Sequence, residues 1–155
     1  MKLGFIGCGN MAGAMLGGII DHGIYRPEAI IGADVYQPSR ENVREKYGIE
    51  VTENNKKVAA SADTVVLSVK PQYIGAVIAD IRGVVRPDQL FITIIPGKTL
   101  AWLEEQLGQP VKIVRTMPNT PAMVREGMTG VCSNAVVTET DMAAALRILS
   151  GFGKA

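Results

Sequence analysis

The chain has 155 residues, of which 47% are hydrophobic and 20% charged, and its formal net charge is +1. This composition is typical of a single globular domain with a sizeable core. A net charge so close to zero, without a long basic stretch, argues against a nucleic-acid partner. The longest apolar runs, at residues 64–69 and 90–95, are too short to cross a bilayer, so no membrane partner is expected.

The amino terminus and the cysteines favour a cytoplasmic location. Met1 and Lys2 lead directly into a strand-like run, and no signal peptide is recognisable. Cys8 and Cys132 are far apart in sequence and the chain has one histidine, so we expect neither a metal site nor a disulfide. Both cysteines are predicted to be small buried hydrophobic residues, and His22 is predicted to be structural.

Short apolar runs alternate with helical patterns along the chain. Strands are predicted at residues 2–6, 29–33, 50–52, 64–69, 90–95, 111–114 and 127–133. Helices are predicted at residues 10–22, 39–47, 54–60, 71–82, 100–107 and 138–150. Ser39 and Thr99 are expected to cap two of these helices, and Gly23, Gly48 and Gly108 to end three of them. The alternation predicts an α/β fold with a doubly wound, mostly parallel sheet and helices on both faces.

The sharpest motif is the glycine-rich segment at residues 7–12, GCGNMA, between the first strand and the first helix. In this context Gly7 permits a tight turn, Gly9 allows the backbone to approach a pyrophosphate, and Ala12 allows close packing of helix and sheet. The unpaired N–H groups of the helix N-terminus favour phosphate. A Rossmann-type dinucleotide-binding fold is therefore predicted, with Asn10 and Met11 as further candidate contacts. Asn10 could also cap the helix, and Met11 could belong to the core.

The residues after the second strand leave the choice of coenzyme open. Asp34 stands where an acidic residue often binds the ribose 2′-hydroxyl, which favours NAD. Ser39 and Arg40 follow, and they could bind a 2′-phosphate, which favours NADP. Arg40 could equally lie on a solvated helix face.

Two further segments follow predicted buried strands, at residues 68–72 (SVKPQ) and 115–121 (RTMPNTP). Ligands of open α/β sheets lie outside the carboxyl ends of the strands, so both segments are expected to line the nicotinamide end of the site. Their prolines stiffen these loops.

These motifs together resemble the pyrroline-5-carboxylate reductase family. The resemblance is carried by residues 4–12 (GFIGCGNMA), 69–72 (VKPQ), 115–121 (RTMPNTP) and 127–129 (GMT), and it extends over essentially the whole chain. It implies NADPH as the coenzyme, with NADH as the alternative, and 1-pyrroline-5-carboxylate as the substrate. It also implies coenzyme contacts from Gly7, Gly9, Asn55, Val69, Lys70, Pro71, Pro96, Gly97, Met117, Pro118 and Asn119. Where the family more often has two alanines, this chain has Ile95 and Pro96.

The resemblance also sets the expected extent of the chain. Residues 1–155 correspond to one dinucleotide-binding domain, and the family's helical C-terminal domain, which forms the dimer and surrounds the substrate, is not included. The full-length protein is therefore expected to be a homo-oligomer built on dimers, and this chain to bind dinucleotide without catalysis. We expect no catalytic side chain here, since a protonated imine mainly needs to be positioned and desolvated. The alternatives are another β-hydroxyacid-dehydrogenase-like reductase, a non-enzymatic dinucleotide-binding sensor, and a domain without a ligand.

Overall fold

The computed structural model of the protein describes residues 2–118 and 128–150. The strands within them are β1 (Leu3–Ile6), β2 (Ile30–Ala33), β3 (Glu50–Thr52), β4 (Thr64–Leu67), β5 (Leu90–Thr93), β6 (Lys112–Pro118) and β7 (Met128–Ser133). The helices are α1 (Asn10–Asp21), α2 (Gln37–Tyr47), α3 (Asn55–Ser61), α4 (Ile74–Ile81), α5 (Leu100–Leu107) and α6 (Glu139–Ser150). Strands and helices alternate up to β6, as the sequence predicts.

All seven strands form one sheet in the order β3-β2-β1-β4-β5-β6-β7. The pairs from β3 to β6 are parallel, and β7 pairs antiparallel with β6. The chain runs outward from β1 to β3, crosses back to β4, and then runs outward on the other side. The predicted doubly wound, mostly parallel sheet is therefore confirmed, and the strand order reverses between β1 and β4, where such folds bind their ligands.

The sheet is covered on both faces, which explains its uninterrupted apolar strands. Each residue of β1, β2, β4 and β5 is buried. One core cluster joins the sheet to α1, α2 and α6, with Phe5, Leu16 and Ile148 among its members. The other joins it to α3, α4 and α5, with Ile6, Ile78 and Leu103. Two apolar layers of this kind hold the strand ends in fixed positions.

The second helix begins earlier than predicted. It starts at Gln37, so Ser39 is inside the first turn and is not the N-cap; Tyr36 has that position without a side-chain cap. Pro38 in the first turn is compatible with this start, because the first amides of a helix have no intrahelical acceptor. The predicted ends at Gly48 and Gly108 are confirmed, and both glycines have a positive φ.

Two other boundaries differ from the prediction for identifiable reasons. The segment after β4 opens with a 3₁₀ turn at Pro71–Tyr73, and the α-helix starts only at Ile74. β6 extends to Pro118 instead of ending near residue 114, because the antiparallel partner β7 continues the pairing through Thr116 and Val131. The apolar pattern of the sequence ends before this extension.

The two cysteines differ in burial. Cys8 is 2% exposed, as predicted. Cys132 is exposed, so the prediction that it is a buried hydrophobic residue is wrong. It lies on β7 at the end of the sheet, where its neighbour Val131 packs against the core and Cys132 lies on the opposite face. His22 follows α1 and its Nδ1 lies 2.8 Å from the carbonyl oxygen of Gly18, a contact that keeps it within its own helix end.

Candidate dinucleotide-binding site

The chain leaves β1 through a turn that only glycine fits. Gly7 has a φ of +99°, a conformation that L side chains rarely adopt. A Cβ at this position would lie 2.7 Å from the carbonyl oxygen of Ser68, which follows β4. The predicted role of Gly7 as the residue of the tight turn is consistent with this geometry.

The start of α1 presents free amide groups at the carboxyl edge of the sheet. Gly9 is the N-cap residue and makes no side-chain cap, and the first helical bond runs from the Gly13 amide to the Gly9 carbonyl. In the described part of the chain, the amides of residues 9–12 donate to no protein acceptor. A Cβ added to Gly9 would meet nothing within 4 Å. Free N–H groups at the positive end of a 12-residue helix, beside open space, favour an anionic group such as a diphosphate.

The other small residues of the motif differ in their surroundings. Ala12 is fully buried between α1 and the sheet, which agrees with its predicted packing role. Met11 is half-buried and packs against the same core cluster. Asn10 is exposed and is the first residue of α1, and its side chain does not cap the helix. The interpretation of Asn10 as the helix cap is therefore wrong.

The turn is joined to the end of β2 by main-chain and side-chain contacts. The Gly7 amide donates to the Ala33 carbonyl oxygen at 2.8 Å. The Cys8 amide donates to Oδ2 of Asp34 at 2.9 Å, and Cys8 Sγ lies 3.5 Å from the Ala33 carbonyl oxygen. Burial, and to a smaller extent the Asp34 charge, raises the pKa of the Cys8 thiol to about 12. Cys8 is therefore a neutral structural group within the glycine turn.

Ser68 contacts the turn from β4, a role that the sequence does not indicate. Its hydroxyl donates to the carbonyl oxygen of Gly7 at 2.7 Å and lies 3.1 Å from that of Ile6. The sequence does place Ser68 directly after a buried strand. Its acceptors, however, depend on the pairing of β1 with β4, which no local pattern specifies.

The residues predicted for the adenosine end lie after β2 and β3. Oδ1 of Asp34 accepts the Tyr36 amide at 2.9 Å, in addition to the Cys8 bond of Oδ2. Nη1 of Arg40 donates to the carbonyl oxygens of Asp34, at 2.8 Å, and Val35, at 3.2 Å. The structure thus brings Asp34 and Arg40 together.

Two further candidates lie at this end of the sheet, and within the described residues neither forms a hydrogen bond with the side chains of that pair. Ser39 is half-buried in the first turn of α2. Asn55 is half-buried at the start of α3, directly after β3, and its neighbour Asn54 caps that helix by accepting the Lys56 amide at 3.0 Å. Because β3 pairs with β2, Asn55 is at the same edge as Asp34.

The candidates for the nicotinamide end follow β4, β5 and β6. Lys70 and Pro71 are exposed, and Val69 is half-buried. Pro96 and Gly97 are exposed in the loop after β5, where Gly97 has a φ of +82°. Both segments leave the carboxyl edge of the sheet, and the one after β4 lies next to the reversal of strand order. Met117 and Pro118 end β6, and Asn119 lies outside the described residues.

Comparison with known family models assigns the chain to a protein family. Residues 2–97 match the model of the family described as NADP oxidoreductase coenzyme F420-dependent. The chain belongs to this family.

In the described ranges no helix is long and apolar enough to span a membrane, and no group of three or more His, Cys, Asp or Glu side chains could hold a metal ion.

Within this family the chain is similar to pyrroline-5-carboxylate reductases. It is 43% identical to the enzyme of Escherichia coli (strain K12) over 157 aligned residues, which cover 99% of this chain and 57% of that protein. It is 41% identical to the enzyme of Pseudomonas aeruginosa over 153 residues, covering 98% and 55%. The predicted resemblance is thus confirmed. The chain spans a little over half the length of these curated relatives.

Solved structures extend the likeness to the fold. A pyrroline-5-carboxylate reductase from Coxiella burnetii superposes with a TM-score of 0.93 at 35% identity, covering 99% of this chain and 57% of that one. Plasmodium falciparum pyrroline carboxylate reductase with NADP bound superposes with a TM-score of 0.85 at 34% identity, covering 99% and 56%. The fold is therefore the Rossmann-type fold of these reductases.

Proposed function

We propose that this chain binds NADPH and is the coenzyme-binding domain, residues 1–155, of a pyrroline-5-carboxylate reductase. The observation that carries the proposal is the set of free amides at residues 9–12 beside the open space at Gly9. The similarity to named reductases, one of them with NADP bound, supports the same assignment. Gly7, Gly9, Asn10 and Met11 would surround the diphosphate.

NADPH is proposed over NADH because of the charge at the adenosine end. The guanidinium of Arg40 is held on the turn after β2, and the hydroxyl of Ser39 precedes it. Both groups suit a 2′-phosphate, which takes charge-assisted hydrogen bonds. Asn55 would contact the adenosine ribose.

When bound, NADPH would supply a hydride from C4 of its nicotinamide to the C=N carbon of 1-pyrroline-5-carboxylate already protonated on its ring nitrogen, which would give L-proline and NADP⁺. The chain's own contribution is to hold and orient the reduced ring. Val69, Lys70 and Pro71 would line the nicotinamide ribose, Pro96 and Gly97 would lie beside it, and Met117, Pro118 and Asn119 would be near the ring. Pro71 and Pro96 each fix one backbone φ in the segments after β4 and β5, which favours a fixed distance between donor and acceptor. No side chain of this chain is proposed as an acid or base.

The remaining length of the relatives is proposed to supply the substrate pocket and the contacts of a homo-oligomer built on dimers. This 155-residue chain is accordingly expected to bind NADPH but not to reduce pyrroline-carboxylate. Turnover by the chain comparable with that of a full-length reductase would refute this part of the proposal.

Titration of nicotinamide fluorescence tests coenzyme binding. Wild type should bind NADPH more tightly than NADH. Arg40→Ala should lose at least tenfold in NADPH affinity with little change for NADH, since a charged hydrogen bond contributes about 1.5–3 kcal/mol. Arg26→Ala, which removes an equal charge from the opposite end of β2, is the matched control. A wild type that binds neither dinucleotide would refute the proposed function.

Full-length protein assayed with pyrroline-carboxylate and with hydroxyacids separates this reductase from the hydroxyacid dehydrogenases.

A further inference from the structure

The peptide group between Gly7 and Cys8 is held from two sides. Its N–H, on Cys8, donates to Oδ2 of Asp34 at 2.9 Å. Its carbonyl oxygen, on Gly7, accepts the Ser68 hydroxyl at 2.7 Å. In a trans peptide these two groups point in opposite directions. The two side chains that hold them accordingly come from opposite sides of β1: Asp34 directly follows β2, and Ser68 directly follows β4.

We infer that Asp34 and Ser68 are positioning residues that fix the Gly7–Cys8 peptide, so that the next amides, at residues 9–12, face the diphosphate. Asp34 on this basis does not select the coenzyme by binding the ribose 2′-hydroxyl. The inference rests on the proposed binding of a dinucleotide. It assigns a role in coenzyme binding to Ser68, which the motif does not include, and a different role to Asp34.

Asp34 and Ser68, together called the clamp of the Gly7–Cys8 peptide, determine which amides are free. Asp34 takes the Cys8 amide, so the Gly9 amide is the first one without a protein acceptor in the described residues. Because Gly7 is a glycine at positive φ, the peptide that follows it would otherwise have many accessible orientations. A hydrogen bond at each end of the peptide removes this freedom before the ligand arrives, and preorganisation of this kind increases affinity.

An acidic residue at position 34 is usually a sign of NAD, which disagrees with the proposed NADPH. The same geometry removes this disagreement. Each oxygen of the Asp34 carboxylate already accepts a main-chain amide, from Cys8 and from Tyr36. The Arg40 guanidinium bonds the carbonyl oxygens of Asp34 and Val35 through Nη1 alone. Its other nitrogens have no acceptor within the described ranges, so they remain available to a phosphate. A cation with free donors beside a carboxylate that is engaged by its own backbone suits a 2′-phosphate.

Two variants separate a clamp from a ribose contact. Asp34→Asn replaces one acceptor oxygen by a donor, and Ser68→Ala removes the hydroxyl. If Asp34 and Ser68 act as the clamp, each variant should lower the affinities for NADPH and NADH by a similar factor of about tenfold. The ratio of the two affinities should stay within about twofold of the wild-type ratio. A loss of NADH affinity alone, with NADPH unchanged or tighter in Asp34→Asn, would overturn the inference.

Amide hydrogen exchange without coenzyme provides the second readout. The Cys8 amide should exchange at least tenfold faster in Asp34→Asn than in wild type, while the buried Val66 amide in β4 should be unchanged. An unchanged Cys8 rate would also overturn the clamp. Matched controls are Asp88→Asn, which removes the same charge from an exposed site, and Ser61→Ala, which removes an exposed hydroxyl that bonds within α3. Both should leave coenzyme affinity and Cys8 exchange unaltered.

The two readouts also separate the clamp from the proposed function. If wild type binds neither dinucleotide but Asp34→Asn still accelerates Cys8 exchange, the proposed function fails and the clamp remains as a feature of the turn. If wild type binds NADPH but Cys8 exchange is insensitive to residue 34, the function stands and the clamp fails. Should Asp34→Asn not fold, Ser68→Ala with both readouts tests the clamp from the β4 side.

Discussion

Gly32 lies directly against the side chain of Cys8. A Cβ at position 32 would be 2.8 Å from Cys8 Sγ, closer than real Cβ contacts, and 3.4 Å from Cδ1 of Ile49. Gly32 is in the middle of β2, and Cys8 is in the glycine turn after β1. The absence of a side chain on β2 thus makes room for the residue that anchors the turn.

Replacing Gly32 by alanine should disturb the turn. We expect a loss of about 1–3 kcal/mol in the free energy of unfolding, as for other overpacked cores, together with weaker NADPH binding. Denaturant unfolding of Gly32→Ala, Cys8→Ala and the double variant measures the coupling between them. The Gly32→Ala penalty should shrink by at least about 1 kcal/mol when Sγ is absent. Additive effects of the two changes would contradict the contact.

The two glycines of the turn should respond differently to alanine. Gly7→Ala forces a side chain into the positive-φ conformation and toward the Ser68 carbonyl, so it should destabilise the fold by more than about 1 kcal/mol. Gly9→Ala meets no protein atom and should leave stability almost unchanged, yet it should lower NADPH affinity at least tenfold, because its methyl group occupies the space of the diphosphate. Thermal unfolding and fluorescence titration measure the two effects.

Gly75→Ala is the control for these glycine variants. Gly75 lies in α4 with open space around it. Alanine there should stabilise the helix by about 0.5–1 kcal/mol and leave NADPH affinity unchanged. Normal NADPH affinity in Gly9→Ala would remove the main support for the diphosphate site.

The Cys8 thiol should make stability fall in alkaline solution. Burial raises the pKa of this thiol in the fold from its ordinary value of 9.0 to about 12. Between these values the unfolded chain loses the proton and the folded chain keeps it, so this contribution is complete below pH 9 and declines as the pH rises toward 12. By pH 10 the decline is about 1.4 kcal/mol. Urea unfolding at pH 8 and pH 10 should show this extra decline in wild type relative to Cys8→Ala, and parallel pH profiles would contradict it.

The cysteines should also differ toward alkylating reagents. Cys132 is exposed on β7, whereas Cys8 is buried and protonated. Iodoacetamide at pH 8 should therefore label one thiol per folded chain and two after denaturation. Mass spectrometry identifies the site, and Cys132→Ser should abolish labelling of the folded protein. Modification of Cys8 under native conditions would show that the turn opens readily.

Local patterns predict the strands, the helices and the glycine turn because each depends on residues close together in sequence. Alternating apolar runs indicate buried strands, and Gly7, Gly9 and Ala12 at fixed spacing after such a strand indicate one kind of turn. The prediction of Ser39 as a helix cap is wrong, because Pro38 permits an earlier start of α2. The prediction of Cys132 as buried is wrong, because composition does not reveal that β7 is the outermost strand at one end of the described sheet.

Sequence by itself determined the fold class, the position of the glycine turn at the carboxyl edge, and the family to which the chain is similar. Tertiary structure alone decided which side chains hold that turn. Asp34 and Ser68 are 26 and 60 residues from Cys8 along the chain, and they meet its peptide group only because β2 and β4 flank β1. Hydrogen bonds across neighbouring strands depend on pairing and register, and neither is written in the spacing of residues within one segment.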